Sequence, residues 1–150
     1  MEPEASGWTR FNQPGFLLAF SYPDPTPDGQ AVVRDEQSFG SYARVHLSSR
    51  DRRELYLEVV RFHDLTPQDE YRQHKPYLEH RFGVDSVSSL TDTSLRDLPA
   101  WAYSFGSTEE GESVERSVLL VQVAGETYRV IFDPRSELNA RVIATITTAD

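Results

Sequence analysis

Four histidines, His46, His63, His74 and His80, are the side chains here best suited to hold a metal or move a proton near neutrality. Their spacing serves neither purpose. A helical metal site wants ligands at i and i+4, whereas His74 and His80 fall on different faces of any helix. His63 and Asp64 are adjacent, and neighbours on a strand point in opposite directions. All four histidines are therefore read as structural or solvated. The serines give no hydrolase signal, because Phe39-Gly40-Ser41-Tyr42 and Phe105-Gly106-Ser107-Thr108 lack the Gly-x-Ser-x-Gly elbow. No Gly-Lys-Ser or Gly-Lys-Thr loop is present to cradle phosphate. Cysteine is absent, which removes thiolate nucleophiles, thiolate metal ligands and disulfides. The reading is of a non-enzymatic chain with no cofactor and no metal.

Two further groups of residues bear on binding. Glu109, Glu110, Glu112 and Glu115 surround Gly111 and form an acidic hairpin tip. Such a tip either docks a basic partner or is a solvated turn that keeps a sheet edge soluble. The arginines at 50, 52 and 53 are offset by Asp51 and Glu54 and are too few for a nucleic-acid surface. The second group is aromatic: Tyr42, Tyr56, Trp101, Tyr103 and Tyr128 all lie on expected strands. Tyrosine and tryptophan bury a large area yet keep a polar end, which suits interfaces as well as cores. Within Trp101-Ala102-Tyr103-Ser104-Phe105 the rings share one face, and Ala102 and Ser104 the other. The small-residue face leaves room for a packed helix or a ligand, while the rings are expected to serve the core.

The elements that must position these residues follow from local pattern. The centre of the chain is an antiparallel meander: Leu98 to Phe105, Val114 to Val123, and Thr127 to Phe132, separated by turn signals at Gly111 and Ala124-Gly125. Earlier strands are expected at Gly15–Tyr22, where an apolar run implies cover on both faces, at Ala31–Val33, at Tyr42–Leu47 and at Leu55–Phe62. In the last of these Leu55, Leu57 and Val59 share one face and Tyr56, Val60 and Phe62 the other, which places it inside the sheet. Thr66-Pro67-Gln68-Asp69 opens a helix, with Thr66 as cap and Pro67 at its first position. Tyr71, Leu78 and Phe82 recur at helical spacing before Gly83. Pro76 interrupts that pattern, so a kink or two short helices are expected. Val84 to Leu95 reads as a strand or an extended link. Ser136 or Asp133 caps a closing helix whose stripe is Leu138, Val142, Ile143 and Ile146.

Composition bounds the rest. A chain of 150 residues is one domain with a substantial core, here 15–150 behind a loose arm at 1–14 that Trp8 and Phe11 could pin. The balance of 24 acidic to 15 basic residues, a net charge of -9, argues against nucleic acid and against an anionic membrane surface. No apolar run reaches the roughly 18 residues of a membrane span. Met1-Glu2-Pro3-Glu4 lacks the cationic and apolar regions of a signal peptide, so a cytoplasmic protein is expected. Lys75 is the single lysine against arginine everywhere else, which suggests a bacterial source.

Three phrases carry a family resemblance: Phe20-Ser21-Tyr22-Pro23, Leu98-Pro99-Ala100-Trp101-Ala102-Tyr103, and Gly125-Glu126-Thr127-Tyr128-Arg129-Val130 followed by a helix. Over residues 15 to 148 this order resembles the PsbP-like and Mog1-like domains. The family phrase usually has glycine before the small residue, where this chain has Leu98-Pro99-Ala100. The resemblance implies an α/β/α sandwich and a role in binding or assembly, with no functional residue carried over.

The expected fold is α+β, a central antiparallel sheet of about six strands flanked by helices. The expected function is a non-enzymatic interaction or assembly module whose partner is another protein. The runner-up is a carrier or sensor of a small apolar ligand held between sheet and helix. The candidate binding surface of the chain is Tyr42, Tyr56, Trp101, Tyr103, Tyr128, Glu109, Glu110 and Glu112.

Overall fold

The computed structural model describes residues 7–39 and 42–149. The meander is the centre of the molecule, as β7 (Leu98–Glu109), β8 (Glu112–Val123) and β9 (Glu126–Phe132). Both of its turns use paired left-handed residues, Glu110 and Gly111 at φ 52° and 81°, and Ala124 and Gly125 at φ 50° and 83°. That geometry matches the right-handed twist of the flanking strands and closes each hairpin in two residues. The register sets Trp101 opposite Leu120 and Leu120 opposite Arg129.

The sheet grows outward from this core. On one side β9 pairs with β5 (Tyr56–Phe62), then β4 (Tyr42–Ser49), then β3 (Val32–Phe39); on the other, β7 pairs with β6 (Thr91–Leu95). Seven strands therefore run in the order β3-β4-β5-β9-β8-β7-β6, all antiparallel. The strand expected at Ala31–Val33 runs on to Phe39, pairing residue for residue with β4. Edge strands bury only one side of their backbone, so Arg34-Asp35-Glu36-Gln37 can sit in a strand without an apolar pattern.

A second, three-stranded sheet is made of β1 (Trp8–Phe11), β2 (Leu18–Pro23) and β10 (Thr147–Thr148), with β2 in the middle. Every residue of β2 is buried, as its apolar run implies. The arm expected to be loose is, over its described part, a strand pinned by Phe11, which is fully buried. Residues 1–6 lie outside the described residues.

Helix α1 (Pro67–Phe82) is continuous through Pro76, and the Thr66 hydroxyl caps it by accepting from Asp69 N at 3.1 Å. The proline sits on the exposed side, where a missing backbone bond can be met by water. Helix α2 (Glu137–Ile143) is capped by Ser136. Ile146 lies beyond its end and is buried by the turn into β10.

Two cores result. On one face of the large sheet Val45, Leu57, Val130 and Tyr128 pack with Leu18 and Phe20 of β2 and Val142 of α2. On the other face Leu78 of α1 packs on Tyr103, Phe105, Val118, Leu120 and Ile131. The molecule is an α+β sandwich.

Candidate functional site

Along β7 the two faces meet different fates. Tyr103 and Phe105 are buried beneath α1, and Trp101 is half-buried in the same cluster. The helix thus covers the ring face, where it removes the most apolar area from water. The small-residue face stays open. Ala102 and Ser104, with Ser117, Leu119 and Phe132 across the register, floor a depression of about 520 Å³. Helix α2 is only 7 residues long and shares a core with Ala100 and Val121 further along the strands.

The wall of this depression is the segment leading into β6. Ser88 N donates to Ser104 O at 2.9 Å, Ser104 N to the Ser88 hydroxyl at 2.8 Å, and the Thr91 hydroxyl to Ala102 O at 3.2 Å. These cross-links make the depression preformed. None of its lining residues carries a charge, in a chain whose residues are 26% charged.

At another place on the sheet the β4–β5 and β7–β8 turns come together, with Arg53 3.4 Å from Glu112. They enclose a charged cleft of about 540 Å³. Its floor is Arg116, whose side chain is only 4% exposed. The guanidinium donates twice to Glu109, at 2.9 and 2.8 Å, stands 3.3 Å from Asp133 and lies 3.8 Å over the Tyr56 ring. Burial pushes the Glu109 carboxyl up, but hydrogen bonding to Arg116 and its charge bring it below the ordinary value. Asp133 is likewise raised by burial and pulled lower overall, chiefly by Arg135. Both carboxylates are ionised at neutral pH. A general acid paired with a general base needs acidities pushed apart, and here both move the same way.

Four sequence candidates, Tyr56, Glu109, Glu110 and Glu112, meet at this cleft. Arg52, Arg53 and Arg135 line it too, so the acidic tip is interleaved with cations rather than presenting one sign. The remaining candidates are dispersed. Tyr128 is fully buried, its hydroxyl accepting from Leu17 N at 2.6 Å. Tyr42 packs edge-on against Phe62, with centroids 6.0 Å apart.

Tyr103 belongs to a buried polar network that sequence reasoning missed. Its hydroxyl donates to Glu70 at 2.9 Å and lies 2.6 Å from His74 Nδ1, while Arg129 Nη1 donates to Glu70 at 3.1 Å. Burial and then the Glu70 charge push the Tyr103 hydroxyl far above its usual range, so it remains a donor. The available signal was Glu70, His74 and Leu78 at i, i+4 and i+8, which put ionisable groups on the buried stripe of α1. Among the described residues no group of three or more histidines and carboxylates stands close enough to hold a metal.

Solved structures give the architecture a reference. Over 97% of this chain and 94% of its own, the solution structure of cyanobacterial PsbP (CyanoP) from Synechocystis sp. PCC 6803 superposes with a TM-score of 0.60 at 12% identity. The fold is PsbP-like. A crystal structure from Bacteroides thetaiotaomicron VPI-5482 matches with a TM-score of 0.59 at 16% identity, covering 96% of this chain. This PsbP-like chain spans 49% of the length of that protein. No protein-family model and no curated protein matches the chain. At these identities the likeness concerns the PsbP-like fold alone.

Proposed function

We propose that this chain is a non-enzymatic interaction module, an assembly or accessory factor that binds another protein through the uncharged depression on β7, β8 and β9. The observation that carries the reading is that depression: uncharged, preformed and open, with Ala102, Leu119 and Phe132 in its floor, in a chain otherwise dense in charge. Open surface free of charge suits a protein contact, whose buried centre is depleted in charged residues. A carrier of a small apolar ligand calls instead for a cavity that encloses most of the ligand. The pairing of Glu109 and Asp133 with arginine supports a binding role over acid–base catalysis at the charged cleft. Among the described residues no helix is long and apolar enough to cross a membrane. A cytoplasmic setting is part of the proposal.

The test is native mass spectrometry of tagged protein recovered gently from its own host, beside the variant Ala102→Arg, which puts a charge on the floor of the depression. A co-purifying polypeptide that the variant loses, with circular dichroism unchanged, is the expected result. A small mass that dissociates on denaturation would favour the carrier. A bare chain in both preparations overturns the reading.

A further inference from the structure

The two edges of the large sheet are treated differently. At the β3 edge Arg34, Asp35 and Glu36 occupy the middle of the strand, with Arg34 and Glu36 paired at 3.0 Å. Charges on an edge are the ordinary guard against adding another strand. The β6 edge is guarded more lightly, by the single charge of Asp92. Thr91-Asp92-Thr93-Ser94-Leu95 carries one charge and no proline, its first four residues are exposed, and among the described residues no strand pairs with its outer side. Two of its five residues are threonine, a β-branched type that favours strands.

The geometry points to β6 as a self-pairing edge, at which a second copy of this chain adds its own β6 antiparallel to form a two-fold dimer with one continuous sheet. The sequence of the strand selects the occupant. Centred on Thr93, the pairing uses all five residues: Thr93 faces its own counterpart, Asp92 faces Ser94, and Thr91 faces Leu95. No charge meets a like charge, whereas a pairing centred on Asp92 would oppose two carboxylates. An isologous contact of this kind closes on itself. The guarded β3 edges at the two far ends stop further growth. This inference stands apart from the reading of the depression, since either surface can work without the other.

Sedimentation velocity on the full chain over a range of concentrations tests it. The wild type is expected to reach a dimer and nothing larger. Each copy brings a charge of -9, and no ion pair spans the proposed pairing, so added salt tightens the dimer by screening repulsion. Thr93→Asp and Thr93→Lys each place like charges face to face at the two-fold axis and weaken association about tenfold or more. Mixed in equal amounts, the two variants recover the dimer. Thr93 is exposed, so both variants keep the wild-type circular dichroism and melting profile. Three results overturn the inference: a wild type that stays monomeric at its solubility limit, variants that associate as the wild type does, or a dimer that salt weakens.

Discussion

The carboxylate of Glu70 is 2% exposed and is held there by Tyr103, Arg129 and His74. Stripping water from an ion costs several kcal/mol, and removing one member of a buried ion pair leaves that cost uncompensated. Burial alone pushes the Glu70 carboxyl up; the His74 hydrogen bond and the Arg129 charge outweigh it, so the group lies below its ordinary value. Glu109 and Asp133 lie below theirs as well. A carboxyl with a depressed folded-state pKa binds its proton more weakly in the folded chain than in the unfolded one. The stability it adds is complete above the unfolded carboxylate range, near pH ~4, and is lost as pH falls through the folded values. Melting temperature is therefore expected to hold steady near neutrality and to fall below about pH 5. Glu70→Gln should cost about 3 kcal/mol at neutral pH, because Arg129 loses the nearer of its two carboxylate partners and keeps only Glu58, at 4.0 Å. It should also make the acid fall shallower, and calorimetry of both proteins across pH decides it. An unchanged acid slope would place the sensitivity elsewhere.

Among the elements, α2 depends on one hydroxyl. Ser136 Oγ accepts from Asn139 N at 3.2 Å and donates to Glu54 O at 2.6 Å, tying the helix start to the β4–β5 connection. Ser136→Ala removes the cap and strands a carbonyl, at an expected cost of about 1–2 kcal/mol in urea denaturation with an unchanged m-value. That cap was readable in the sequence, as were the start of α1 and the three strands of the meander, since each has a local chemical signature. The edges were not. Residues 34–38 and 91–94 are polar, and only their pairing with β4 and β7 makes them strands. The same blindness applied to the sites. Trp101-Ala102-Tyr103-Ser104-Phe105 announced two unlike faces, yet which of them the helix would cover depended on α1 folding back across the sheet. Ala102 and Ser104 became the floor of an open depression for that reason. The pairing of Glu70 with His74 went unread because charge on a helix is ordinarily charge on its wet side, and the partner Arg129 lies 59 residues away from Glu70.

At the scale of the whole molecule, the two layers share one core through β2, which has β1 on one side and β10 on the other, both antiparallel to it. Trp8 stands beside Pro23 at one end of β2, and Thr148 beside Leu18 at the other. This arrangement has a mechanical meaning. Tension applied at Trp8 and Thr148 drags β1 and β10 along β2 in opposite directions, so the rungs between them bear load together. Tension applied at Asp35 and Thr93, across the large sheet, peels strands one rung at a time. With no native cysteine, thiol handles introduced at either pair are unique. Single-molecule pulling should find a higher rupture force along β2 than across the sheet, the two-residue β10 letting go first. This PsbP-like fold would then behave as a clasp, stiff along its length and easily opened from the side.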